Sequence, residues 1–182
     1  SIYLSRGLTE IGNYAFKGAG INFLNMPCCY IGDGALTSNI NSLTLEKNYL
    51  TGCDTLNFNE HKVMPITLNI KCNYVGGYFG NNRTKSIAIG SDDDNVKISI
   101  RQSAFEGCSA LKDLYLGQNV IDIGDRAFYG CTSLDSLILP SNIKVIQDSV
   151  FMNCTSLSMV EMPNSITKIG KSAFRNCTSL TS

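Results

Sequence analysis

From residue 100 onward the apolar positions of this chain return in fixed phase every 23 residues. Phe105, Phe128, Phe151 and Phe174 keep that interval, as do Cys108, Cys131, Cys154 and Cys177, and Leu111, Leu134, Leu157 and Leu180. Between them Leu114, Leu137 and Val160 share one position and Leu116, Leu139 and Met162 the next. Val120, Ile143 and Ile166 follow, then Ile123, Ile146 and Ile169. The unit reads L-x-x-L-x-L-P-x-x-I-x-x-I-G-x-x-A-F-x-G/N-C-x-x. A unit this short buries its apolar side only against its neighbours, so the pattern predicts a stacked array in place of a conventional globular core.

Each position predicts an element. Around Leu114 and Leu116 the alternation puts the leucines on one face and Asp113, Tyr115 and Gly117 on the other, which predicts a short strand. One such strand per unit stacks into a parallel sheet. The stretch 124–128 predicts a short helical or 3₁₀ return turn with Ala127 and Phe128 pointing inward. Gly107, Gly130, Asn153 and Asn176 share one position, and Gly and Asn interchange where the backbone needs a left-handed residue. Pro140 and Pro163 are placed to stop the strands. The expected fold class is an α/β repeat, with a parallel sheet on one face and short helical or 3₁₀ turns on the other.

Residues 1–182 are expected to form one such solenoid. Within it, residues 1–49 hold shortened copies: Ile11, Gly12, Ala15 and Phe16 match Ile123, Gly124, Ala127 and Phe128, and Ile31, Gly32, Ala35 and Leu36 repeat them. Their strand positions are Ile21, Leu24, Met26 and then Ile40, Leu43, Leu45. Residues 50–99 keep fragments only, Leu50, Cys53 and Leu56 among them, with strands expected at 66–70 and 87–89; they read as degenerate or insertion-bearing units. Residues 100–182 are the regular units. Both ends cut a unit, so the chain is expected to be a piece of a longer array, and its exposed edges invite end-to-end self-association.

Composition narrows the function. The 15 basic and 15 acidic residues cancel, and no Lys or Arg cluster supplies the field that nucleic acid requires. No apolar run approaches the roughly 18 to 20 residues that cross a bilayer, so no membrane insertion of this segment is expected. The first residue is Ser1 and no signal peptide is visible. With one histidine and no tryptophan, the chain is poor in the residues on which catalysis usually relies.

The candidate chemistry mostly has a plainer reading. The four phased cysteines occupy an apolar, repeat-locked position and are expected to form a ladder of buried thiols. Zinc would need four convergent ligands, and no C-x-x-C pair is present. Cys28, Cys29, Cys53 and Cys72 stand outside the phase and are open to packing or redox roles. An abundance of unpaired thiols fits a reducing or anaerobic setting. Asp92, Asp93 and Asp94 gather oxygen ligands but lack the Gly and distant Glu of a calcium loop, and read as a solvated turn. Asn82, Asn153 and Asn176 begin N-x-S/T sequons, two of them at the left-handed position. His61, between Glu60 and Lys62, has no positioned partner in the sequence. No catalytic residue, metal or cofactor is expected, and the chain is read as a non-enzyme.

The outward strand positions remain. By alternation they are Tyr3, Phe23, Asn25, Ser42, Thr44, Ser86, Ala88, Asp113, Tyr115, Ser136, Ile138, Met159 and Glu161. Stacking puts them in columns on one continuous sheet face. Tyr3, Phe23, Tyr115, Ile138 and Met159 give that face aromatic and apolar character beyond what solubility needs, and such residues are favoured at the centres of interfaces.

The run I-G-D-R-A-F-Y-G-C-T-S-L-D-S-L-I-L-P at 123–140, whose core words return in I-G-K-S-A-F-R-N-C-T-S-L at 169–180, resembles the BspA-like, treponemal-type branch of the leucine-rich repeats. It departs from the more familiar leucine-rich pattern in that the apolar residue follows Asn119 and Asn142 at once, so no buried asparagine ladder is assumed. The resemblance implies a right-handed leucine-rich-repeat solenoid, part of a larger cell-surface or secreted protein of a host-associated microbe. It implies a role in adhesion to host or microbial protein or glycoprotein partners, and it carries no catalytic residues. The alternative function is a structural spacer that holds another domain away from the surface and binds nothing.

Overall fold

A computed structural model of the chain describes residues 1–27, 29–31, 34–36, 40–46, 65–72, 74–75, 79–93 and 95–181. Their apolar period becomes a stack of parallel strands. A six-stranded sheet runs β1 (Ile2–Tyr3), β3 (Phe23–Pro27), β5 (Ser42–Glu46), β6 (Thr67–Lys71), β8 (Ser86–Ile89) and β10 (Asp113–Leu116), neighbour to neighbour. The strands expected at 66–70 and 87–89 are β6 and β8. Two further strands, β12 (Ser136–Ile138) and β14 (Met159–Glu161), pair with each other. Every pairing is parallel, because each strand is reached after a full circuit of the coil.

The hydrogen-bonded ladder is interrupted within the face, although β10 and β12 remain neighbours. Among the described residues no ladder joins β10 to β12. Strands of three or four residues make few hydrogen bonds, so a small relative displacement removes the ladder. The joint is carried elsewhere: the Phe105 and Gly107 amides donate to the Ala127 and Tyr129 carbonyls at 2.8 Å, and the Asn142 side chain donates to the Gln118 carbonyl at 2.6 Å.

A second set of short strands lines another side of the coil. β7 (Tyr74–Val75), β9 (Ile98–Ile100) and β11 (Val120–Ile123) form one ladder. β2 (Glu10–Ile11) pairs with β4 (Tyr30–Ile31), and β13 (Val145–Ile146) with β15 (Lys168–Ile169). β11 holds both members of its unit's second apolar pair, Val120 and Ile123, both buried, while β13 and β15 hold only the second member of theirs, Ile146 and Ile169.

The return arm is made of turns, not the expected helical or 3₁₀ segments; among the described residues no helix forms. The reason is backbone sign. Gly107, Gly130, Asn153 and Asn176 are left-handed as anticipated, with φ between 62° and 76°. A second position in the same arm is also left-handed: Ser103, Arg126, Ser149 and Ser172 have φ of 55° to 58°. Two left-handed residues four apart forbid a run of right-handed ones, so the chain makes successive three-residue closures such as Ala127 to the Gly124 carbonyl (3.2 Å) and Cys131 to the Phe128 carbonyl (3.3 Å). The intervening amides are freed to bond along the stack, as when Arg126, Phe128 and Gly130 donate to the Asp148, Val150 and Met152 carbonyls at 2.9 to 3.0 Å.

Inside lie two ladders. Phe79, Phe105, Phe128, Phe151 and Phe174 stack with centroids 5.1 to 5.6 Å apart, so the ladder includes Phe79, inside the stretch expected to be degenerate. Burying each contributes roughly 1.5–3 kcal/mol. Beside them Cys108, Cys131, Cys154 and Cys177 are buried free thiols, each donating to a Phe carbonyl in the preceding unit at 3.1 to 3.4 Å. Burial pushes Cys108 and Cys154 up to about 12 and raises Cys131 and Cys177 as well. These sulfurs stay protonated and act as packing. Cys29 is buried, while Cys72 is disulfide-bonded; Cys28 and Cys53 lie outside the described residues.

Candidate binding face

Strand alternation turns one side of each face strand inward and the other to solvent. Leu24, Leu43, Leu68 and Ile87 fill the interior, and register then aligns the outward residues into rows. One row runs Tyr3, Asn25, Thr44, Asn69, Ala88, Tyr115, and a second runs Phe23, Ser42, Thr67, Ser86, Asp113. Adjacent members of a row sit about one strand spacing apart, roughly 4.8 Å, so a ligand crossing the strands meets them in sequence.

The rows are not uniformly apolar. Tyr3 (72% exposed) and Tyr115 (65%) stand at the two ends of theirs, and Tyr3 packs on half-buried Phe23 at 5.5 Å. Between them the row is polar except for Ala88. Thr44, expected outward and open, is 8% exposed, because Asn25 and Asn69 flank it across the strands and the Asn69 amide donates to its hydroxyl at 3.4 Å. The Asn25 amide donates to Glu46 Oε1 at 3.0 Å, and Glu46 also holds Arg6 at 2.8 Å. Opposite Glu46, Lys71 binds Asp92 at 2.8 Å, and that hydrogen bond lowers the Asp92 carboxyl below its ordinary value.

These side chains line a groove of about 580 Å³. Asn25, Thr44 and Asn69 lie along it, Glu46, Lys71, Ser91 and Asp92 form one wall, and Tyr115, Gly117, Gln118 and Asn119 close one end. Asn119 is buried: its amide donates to the Asp93 carbonyl at 3.1 Å and its oxygen accepts from the Ser91 amide at 3.4 Å. It ties the loop at 90–97 to the end of β10. Asn142, one unit later, is exposed, so no asparagine ladder continues.

The anticipated residues therefore divide. Tyr3, Phe23, Asn25, Ser42, Thr44, Asp113 and Tyr115 share the six-stranded sheet, with Ser42 half-buried beside Phe23. Ser136, Ile138, Met159 and Glu161 lie on the separate pair, where Ser136 faces Met159 and Ile138 faces Glu161. Ile138 (56%) and Met159 (51%) are exposed there. The groove adds Asn69, Lys71, Asp92, Gln118 and Asn119, which sequence reasoning missed. Asn69 was accessible by alternation within the expected strand at 66–70; Lys71 ends β6 one residue beyond that expected strand, and Asp92, Gln118 and Asn119 sit in loops, where periodicity gives no orientation.

Elsewhere Asp93 caps a turn by accepting the Asn95 amide at 2.9 Å, and Asp94 lies outside the described residues. Among the described residues no three His, Cys, Asp or Glu side chains converge as a metal site would require. The Asn153 and Asn176 amides donate along the turn arm, to the Tyr129 hydroxyl at 2.9 Å and to Asn153 Oδ1 at 2.8 Å. Asn82 is exposed, and the Thr84 hydroxyl of its sequon is buried against the Pro65 carbonyl at 2.7 Å. Glu60, His61 and Lys62 lie outside the described residues. Among the described residues no helix is long and apolar enough to cross a membrane.

A family model described as the BspA type leucine rich repeat region matches in 6 copies, over residues 1–88 and 77–182. No curated protein matches the chain. Among solved structures, a leucine-rich repeat protein from Bacteroides ovatus is 24% identical with a TM-score of 0.52 over 100% of this chain and 65% of its own. A leucine rich cell surface protein from Faecalibacterium prausnitzii is 21% identical with a TM-score of 0.56, over 100% of this chain and 51% of its own. The chain thus spans between half and two thirds of these solved relatives, and the likeness is one of fold.

Proposed function

The chain belongs to the BspA-type leucine-rich repeat family, whose solenoids are generally protein-interaction scaffolds and not enzymes, and from that premise we propose that it is a non-enzymatic adhesion module. It binds a protein or glycoprotein partner through its sheet face, as part of a cell-surface or secreted protein. The observation that carries this reading is the row of outward side chains on a frame whose apolar interior repeats in phase. Tyr3 and Tyr115 flank a polar groove, and Ile138 and Met159 extend exposed apolar surface beyond it. A lone exposed apolar residue needs no explanation, but several exposed aromatic and aliphatic side chains on the outward side of the face strands support a binding role. The nearly balanced charge favours a partner recognised by shape and hydrogen bonding over a polyanion.

The test is binding of this domain to immobilised matrix glycoproteins and to whole microbial cells, beside a Tyr3→Ser, Phe23→Ser, Ile138→Ser, Met159→Ser variant whose unfolding curve is first shown to match. Saturable binding lost by the variant is the expected result. Equal binding by both proteins removes the sheet face from the account, and no binding by either favours the spacer.

A further inference from the structure

The groove on the six-stranded sheet has a chemistry distinct from the apolar ends of the face. Its volume of about 580 Å³ falls within the range of small-ligand sites. Along it lie planar amides. Asn25 and Asn69 each donate one N–H inside the row, to Glu46 and to Thr44. A carbonyl oxygen and a second N–H on each amide have no partner among the described residues. A sugar hydroxyl is donor and acceptor at once, and two vicinal hydroxyls match the paired oxygen and nitrogen of an amide.

At one end Tyr115 supplies a flat surface. Its ring leans over Gly90, where an added Cβ would meet Tyr115 Cε1 at 3.8 Å. Gly90 and Gly117 approach so closely that a Cβ on Gly117 would fall 3.1 Å from the Gly90 Cα. Bare backbone therefore lies beneath an exposed ring, a shelf on which the C–H face of a pyranose can stack. The charges nearby are already paired, Glu46 with Arg6 and Lys71 with Asp92, each at 2.8 Å. The groove has no surplus charge for a phosphate or sulfate. Among the described residues it offers no apolar anchor for a peptide side chain either, because the leucines and isoleucines of these strands point into the core.

We propose that this groove is a carbohydrate site that takes a short neutral oligosaccharide, stacked on Tyr115 and held by the amides of Asn25 and Asn69. The proposal rests on the sheet-face reading and deepens it, by assigning to glycan the part of a partner that enters the groove.

The test is an array of neutral glucose-, galactose- and mannose-based oligosaccharides with sulfated chains as the charge control, alongside a soluble glycoprotein offered before and after enzymatic removal of its glycans. Array binding identifies free polysaccharide as a source, and loss of binding on deglycosylation identifies protein-borne glycan. The expected result is binding of one or more neutral chains, weakened about tenfold or more by Tyr115→Ala and by Asn69→Leu but retained by Tyr115→Phe, which keeps the ring. Tyr115 is exposed, so its variants keep the fold, and matching unfolding curves verify this. Equal binding to the deglycosylated protein with a silent array overturns the carbohydrate assignment while leaving the sheet-face reading in place. Glycan binding unchanged in Tyr115→Ala overturns the groove as its location. Absence of binding to glycans and to both forms of the glycoprotein overturns the proposal and counts against the broader reading as well.

Discussion

Replacing Phe128 by alanine tests whether the aromatic ladder holds the solenoid together. Phe128 is 0% exposed and lies between Phe105 at 5.2 Å and Phe151 at 5.6 Å, the latter ring within 4° of parallel. Removing the ring deletes its transfer free energy and leaves a cavity that backbone ladders on both sides prevent from collapsing, at a cost of about 3–5 kcal/mol. Two stacked contacts are lost as well, each worth about 0.5–1.5 kcal/mol beyond burial. Against the typical total of about 5–15 kcal/mol, the change consumes a large share of the stability. Phe174 provides the internal comparison: it is half-buried and stacks on one described neighbour, Phe151, at 5.5 Å. Urea unfolding followed by circular dichroism should show Phe128→Ala with a much lower midpoint and Phe174→Ala with a clearly smaller decrease. Phe128→Leu, which retains most of the apolar volume, should lose less than about 1.5 kcal/mol. A Phe128→Ala loss below about 1 kcal/mol, or equal losses at the two positions, would refute the ladder as the source of cohesion.

Alkaline pH should weaken the fold through the thiol ladder. The folded values, raised to about 12 for Cys108 and Cys154, lie above the ordinary 9.0, so their contribution is intact below about pH 9 and is lost as pH climbs toward 12. Urea midpoints measured from about pH 8 to about pH 10.5 should fall, and a Cys131→Ala, Cys154→Ala variant should show a shallower fall from a lower start. Gly124→Ala should destabilise strongly, because its Cβ would lie 2.5 Å from the Gln102 backbone nitrogen, whereas Gly12→Ala, with nothing within 4 Å, should be nearly silent; thermal melts compare the two. Ser149→Gly should stabilise by about 0.5–1 kcal/mol by relieving its φ of 55°, and Asn153→Val should cost about 1–2 kcal/mol at φ 64°, both read by chemical denaturation.

Much of the fold was legible because the interior repeats in phase. Phe, Cys and Leu at the 23-residue interval gave the ladders and the parallel strands, and Gly or Asn at 107, 130, 153 and 176 gave one left-handed corner. The other corner was invisible, since Ser103, Arg126, Ser149 and Ser172 are not residue types that announce a positive φ. That hidden corner is what converts the expected helical arm into turns. The break between β10 and β12 was equally unreadable: the apolar period is the same across it, and only backbone geometry distinguishes a ladder from mere adjacency. Phe79 was missed because it precedes Phe105 by 26 residues, three more than the period. Of the face, alternation located Tyr3, Asn25 and Tyr115 but could not foresee that Thr44 is covered by its row neighbours.

The irregular spacing that obscured the middle of the sequence is also what shapes the groove. Along the six-stranded sheet, Ser42, Thr67, Ser86 and Asp113 pair in turn, which sets successive intervals of 25, 19 and 27 residues. A regular unit returns its chain between the two strand ladders in a short connection, as at 117–119 between β10 and β11. The connection at 90–97 between β8 and β9 is longer, and it raises Ser91 and Asp92 as a wall that a regular unit has no residues to build. Asn119 then fixes that wall by bonding both Ser91 and Asp93, so the departure from the repeat is held by the unit that follows it. In the regular part, β12 and β14 present Ile138 and Met159 on open strands with no such wall. Cohesion thus follows the strict period, and concavity follows its violation. Replacing Ser91 and Asp92 by alanine, which leaves buried Val96 and the backbone partners of Asn119 in place, should leave the Phe and Cys ladders and the unfolding midpoint nearly unchanged while weakening groove binding; a large loss of stability would show that the wall belongs to the frame.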